Sequence, residues 1–132
     1  MALQSGVELI TFYSAVAKTA SENGSSVLVP DFKRALITAN ITAVAGTSPT
    51  LIIGFETSED DTTWFHNGIV VDKDRQGSLT RTSAPTDEAK ITTVTKHILW
   101  LTHFSKYLRP YLTITGSAGQ SFTITLKGTF YR

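Results

Sequence analysis

The chain has 132 residues, of which 41% are hydrophobic and 17% charged, and its formal net charge is +1. That suffices for one domain burying roughly two thirds of its unfolded surface, and it is too apolar and too neutral for a disordered segment. Basic residues scattered and interleaved with acids argue against a nucleic-acid footprint, with a local exception over Lys96 to Arg109, and the lack of cysteine excludes a disulfide framework, thiolate chemistry and Cys-ligated metal.

Taken in chain order, the sequence reads as strands separated by turn residues. Val7 to Tyr13 is rich in β-branched and aromatic residues and is expected as a strand, although Ile10, Ser14 and Ala17 also fall near helical spacing. Ser21 to Ser26 is a turn, and Val27-Leu28-Val29 is a short strand stopped by Pro30-Asp31. Arg34 to Val44 places Ala35, Ile37, Ala39, Ile41 and Ala43 on one face, with Thr38, Asn40 and Thr42 on the other. Such period-two alternation marks a half-buried strand. Ala45 to Pro49 turns into a strand over Thr50 to Thr57, where Leu51, Ile53 and Phe55 share a face.

Glu59-Asp60-Asp61 forms a tight turn into a strand over Thr63 to Val71. Residues 72–89 read as a long polar loop, with a short strand around Leu79 to Thr82. Lys90 to Phe104 is expected as one strand, apolar on both faces through Ile98-Leu99-Trp100-Leu101. Tyr107 to Thr115 alternates, Gly116 to Gly119 turns, and Ser121 to Tyr131 closes the chain with Phe122, Ile124, Leu126 and Phe130 inward. Threonine, about one residue in six, concentrates in these strands and suits a pleated surface with one wet face. The fold expected is all-β, an antiparallel β-sandwich of jelly-roll-like form in a single domain over residues 1–132.

Little in this chain is arranged for chemistry. His66, His97 and His103 lack the spacing of a zinc motif. No Gly-x-Ser-x-Gly elbow exists. Glu59, Asp60 and Asp61 sit in a tight turn, a solvated tip before a calcium site, and the EF-hand pattern is missing. No catalytic residue, metal ligand or cofactor is therefore expected. Trp64 and Trp100 are expected to cap the core, with a sugar-stacking platform shared with Tyr107 and Tyr111 as the alternative. Tyr107, Arg109 and Tyr111 share a strand face opposite Leu108 and Leu112, a composition enriched at protein interfaces. Residues 1–13 read as an arm or edge strand whose Leu3, Val7, Leu9 and Phe12 are further contact candidates. No run approaches the ~20 apolar residues of a membrane span, and no basic segment precedes an apolar stretch at the N-terminus.

Several short motifs recur in a known order: Ala17 to Ser21, Gly46-Thr47-Ser48-Pro49-Thr50-Leu51, Ser58 to Trp64, Tyr107-Leu108-Arg109 and Ser121-Phe122-Thr123. In this order the chain resembles small β-sandwich virion structural proteins of tailed bacteriophages, of the head decoration or cement type. Asp61 departs from the glycine common in that hairpin turn, and the segment from Asp72 to Thr95 is longer. The resemblance implies a non-enzymatic protein, made in the host cytoplasm and located in the virion. Its partners would be the major capsid protein or other virion proteins and copies of itself, a trimer foremost, with neither nucleic acid nor membrane. A carbohydrate-binding module of a tail or baseplate is the alternative, followed by a head-completion or tail-tube component.

Overall fold

The computed structural model describes residues 6–66, 72–73, 79–80, 88–102 and 104–132. Its strands are β1 (Val7–Lys18), β2 (Glu22–Asn23), β3 (Val27–Leu28), β4 (Arg34–Thr47), β5 (Thr50–Ser58), β6 (Phe65–His66), β7 (Asp72–Lys73), β8 (Leu79–Thr80), β9 (Glu88–Ile91), β10 (Thr95–Thr102), β11 (Tyr107–Thr115) and β12 (Ala118–Tyr131). No helix occurs among the described residues. One sheet has the order β1-β12-β4-β10. In the other, β11 and β5 form the centre, β2 and β3 pair with β11, and β6 and β9 pair with β5. All these pairs are antiparallel.

With the separate two-stranded ribbon β7-β8 set aside, counting β2 with β3 and β6 with β9 leaves eight strand positions, interleaved as in a jelly roll. Apart from β5 to β6 and β9, successive positions alternate between the two sheets. The chain therefore builds both layers at once, and the apolar face of every long strand meets the opposite layer. Ala35, Ile37, Ala39 and Ile41 of β4 and Phe122, Ile124, Leu126 and Phe130 of β12 are buried against Leu51, Ile53 and Phe55 of β5 and Leu108, Leu112 and Ile114 of β11. At one end Phe130 is ringed by Phe12, Phe32 and Phe104, with centroids 6.3, 5.8 and 5.8 Å away.

The strand reading of the N-terminal segment holds, and β1 runs on to Lys18. It is an edge strand, paired with β12 alone among the described residues. Register shifts between Thr11 and Tyr13 and between Tyr13 and Val16 break its ladder. Ala15 sits in the left-handed region (φ 51°), its N–H donated to Thr125 Oγ1 at 3.0 Å. Such bulges make an edge a poor template for another strand. Regular register is kept on either side of them, over Val7 to Thr11 and over Val16 to Lys18.

Other expectations need correction. Lys90 to Phe104 is not one strand: a bend over residues 92–94 separates β9, which pairs with β5, from β10, which pairs with β4 in the other sheet. The expected turn over Ser21 to Ser26 contains β2, held because Gly24 N donates to Pro110 O at 2.8 Å. In the polar segment 72–89, β8 falls within the short strand expected around Leu79 to Thr82 and pairs with β7, while Glu88 and Ala89 already belong to β9. Of the strand expected over Thr63 to Val71, β6 is seen and residues 67–71 lie outside the described residues, as do Leu3 and His103. Neither tryptophan joins the core. Trp64 and Trp100 are half-buried on the outer faces of the sheets, because Leu99 and Leu101 take the inward positions of β10.

Candidate functional site

The outer face of the sheet centred on β11 and β5 carries the Tyr107, Arg109 and Tyr111 set picked out by parity. Cross-strand register places Tyr107 opposite Ser58, Arg109 opposite Glu56, and Tyr111 opposite Gly54. On the far side of β5, His66 pairs with Glu56 and Glu88 with Gly54. Four strands thus gather Arg109, Glu56, His66, Tyr111 and Glu88 onto one surface.

Gly54 explains how Tyr111 lies there. A Cβ on residue 54 would stand 2.3 Å from Tyr111 Cζ and Oη, so glycine alone lets the ring cross β5. The ring is consequently 8% exposed. Its hydroxyl donates to Glu88 Oε2 at 2.5 Å and lies 3.1 Å from His66 Nδ1. The two rings meet edge-on, centroids 5.4 Å apart. Arg109 Nε donates to Glu56 Oε1 at 2.9 Å, and its guanidinium carbon stands 4.1 Å from the centre of the Trp64 ring. A guanidinium held between a carboxylate and an indole face is fixed in both plane and position.

The turn that delivers Trp64 is built by Asp60. Its Oδ1 accepts from the backbone N–H groups of Thr63 and Thr62, each at 2.9 Å, and from Ser58 Oγ at 3.0 Å. These bonds, that from Thr63 foremost, hold the Asp60 carboxyl below the usual carboxylate range. Asp61 adopts φ 61°, a conformation that Asp tolerates better than most residues.

A second polar cluster ties β1 to the opposite sheet. Tyr13 Oη donates to Glu22 Oε2 at 2.9 Å, and Lys18 Nζ bridges Glu22 at 3.0 Å while lying 5.4 Å from the Tyr13 ring centre. Burial, with the nearby Glu22 carboxylate, pushes the Tyr13 phenol well above its ordinary range. The Lys18 hydrogen bond holds Glu22 below its own. The rest of the expected arm diverges in two directions: Val7 and Leu9 are exposed, at 50% and 65%, whereas Phe12 turns inward against Phe55 and Phe130.

On the Arg109 face the acids and bases are joined to one another, Arg109 to Glu56 and the Tyr111 hydroxyl to Glu88 and His66. Among the described residues no three His, Asp or Glu side chains gather as a metal site, and no helix is long and apolar enough to cross a membrane.

No protein-family model matches the chain, and no curated protein matches it. Two solved structures are similar. The SPBc2 prophage-derived protein YomS aligns over 100% of this chain and 99% of its own, with a TM-score of 0.55 and 14% identity. PirA aligns over 99% and 97% with a TM-score of 0.41 and 10% identity. The chain thus has, from end to end, the fold of a prophage-derived protein.

Proposed function

We propose that this chain is a non-enzymatic structural protein of a bacteriophage particle, and that within the particle it serves as a capsid decoration (cement) protein. The observation carrying this reading is the end-to-end fold likeness to a prophage-derived protein of nearly equal length. Jelly rolls host many roles, so the fold alone does not choose among them. The surface supports the cement reading. Its clustered polar groups are spent on one another, which suits a module that adheres and resists deformation.

As a cement protein it docks on the major capsid protein and on copies of itself, a trimer foremost. Many modest contacts then act together once one copy is seated. The specific test is binding to emptied phage heads. Pure protein should sediment with heads and raise the temperature at which they break. Protein left in the supernatant, or sedimenting with tails, contradicts the reading.

A second reading, a carbohydrate-binding module of a tail or baseplate, is favoured by the position of Trp64 and Trp100 outside the core. It predicts retention on a glycan array that Trp64→Ala abolishes.

A further inference from the structure

The outer face of the four-stranded sheet differs in chemistry from the Arg109 face. Pairing across β1, β12, β4 and β10 aligns its side chains in rows: Val7–Tyr131–Arg34–Thr102, then Leu9–Thr129–Leu36–Trp100, then Thr11–Lys127–Thr38–Ile98. A fourth row, on three strands, is Thr125–Asn40–Lys96. Leu9 and Ile98 are 65% and 59% exposed, and Trp100 and Leu36 are half-buried beside them. At strand and residue spacings of about 4.8 and 6.7 Å per step, these rows cover roughly 14 by 20 Å.

The charge on this face has one sign. Arg34, Lys96 and Lys127 are exposed on it, whereas the single carboxylate in the four strands, Glu8, pairs with the inward-facing Phe130 and so has inward parity at the edge. Lys96 and Lys127 line a shallow open cleft with Thr38, Asn40, Ile98 and Thr125, and neither lysine is ion-paired with a described residue. Two exposed lysines over hydroxyl and amide donors, beside an apolar row, form a surface complementary to carboxylates flanked by apolar side chains. A second copy meeting it about a twofold axis would bring cations against cations, which opposes self-pairing here. A nucleic acid would leave the exposed Leu9 and Ile98 without a matching surface.

We infer that this face is a docking surface for an acidic, partly apolar segment of a partner protein, with Lys96 and Lys127 taking its carboxylates and Leu9, Leu36, Ile98 and Trp100 its apolar side chains. The inference rests on the virion reading for the partner's identity, a shell protein, and not for the chemistry of the face. The patch is smaller than the ~800 Å² per partner of a standard stable interface, so one copy binds weakly and many copies bind firmly.

The test titrates isotopically labelled protein with three probes: a peptide of alternating Glu-Glu and Leu-Leu pairs, its Lys-for-Glu counterpart, and a single-stranded oligonucleotide. The acidic peptide should shift amides of residues 36–40, 96–100 and 125–129. Binding should weaken about tenfold in Lys96→Gln/Lys127→Gln, whose substitutions lie at exposed positions. Equal response to the basic peptide, tighter binding of the oligonucleotide, or shifts confined to the Arg109 face would overturn the inference. Head binding by the same double variant separates the two readings. Full occupancy by the variant removes this docking face and leaves the virion role standing. A positive peptide titration with no head binding by the parent protein does the reverse.

Discussion

Replacing Gly54 with alanine tests whether the flat Arg109 face depends on one missing side chain. The three atoms nearest to a Cβ at residue 54 all belong to Tyr111, at 2.3 to 2.7 Å, so the ring must leave its place across β5. The hydroxyl then loses its bond to the Glu88 carboxylate and its contact with His66. A hydrogen bond to a charged group contributes about 1.5–3 kcal/mol, and part of the ring's burial is lost with it. Against this, alanine in a strand regains about 0.5–1 kcal/mol of the entropy that glycine forfeits. The net cost is about 2 kcal/mol, a fall in Tm of roughly 6–8 °C for a domain of this size. Thermal unfolding followed by circular dichroism measures it. The sign should reverse in a Tyr111→Ala background, where the same Gly54→Ala change stabilises by about 0.5–1 kcal/mol because the space is empty. A Gly54→Ala protein as stable as its parent, or additivity of the two changes, would refute the reasoning.

Arg109→Ala removes both the Glu56 bridge and the Trp64 stack and should cost about 1–2 kcal/mol. In a Trp100→Phe background it should also shift Trp64 emission to the red; an unchanged spectrum contradicts the stacked geometry. Because the Tyr13 phenol is raised by folding, its contribution is complete below its unfolded value near 10 and is lost as pH rises beyond it. Stability should therefore fall by up to about 1.4 kcal/mol per pH unit above pH 10, a slope absent in Tyr13→Phe. Asp60→Ala should lower the Tm by removing the carboxylate that accepts from the Thr62 and Thr63 amides and the Ser58 hydroxyl, and millimolar calcium should leave the parent's Tm unchanged; a calcium-dependent rise lost in the variant would restore the metal reading.

The parts of the fold legible in the sequence are those where one strand has one buried face. Ala35 to Ile41 and Phe122 to Phe130 alternate because each lines the core on one side and solvent on the other, and turn residues bound them. The break between β9 and β10 was hidden because Thr92-Thr93-Val94 has strand composition. There the chain changes sheet, a tertiary event without a Gly or Pro to announce it. Trp100 was misplaced for a related reason: Ile98 to Leu101 is apolar on both faces, so period gives two faces without saying which is inward. At the site, parity placed Tyr107, Arg109 and Tyr111 together on β11. Their partners Glu56, Trp64, His66 and Glu88 lie 23 to 53 residues away along the chain and reach them only through sheet register. Asp61 lies in the tight turn that Glu59-Asp60-Asp61 announced, but its positive φ could not be read from the sequence.

Quantitative mass spectrometry of purified virions, fractionated into heads and tails, addresses the central claim most directly. A capsid decoration protein should be found in the head fraction at a copy number that scales with the major capsid protein. Absence from the virion, or recovery of only a few copies in the tail fraction, would contradict it.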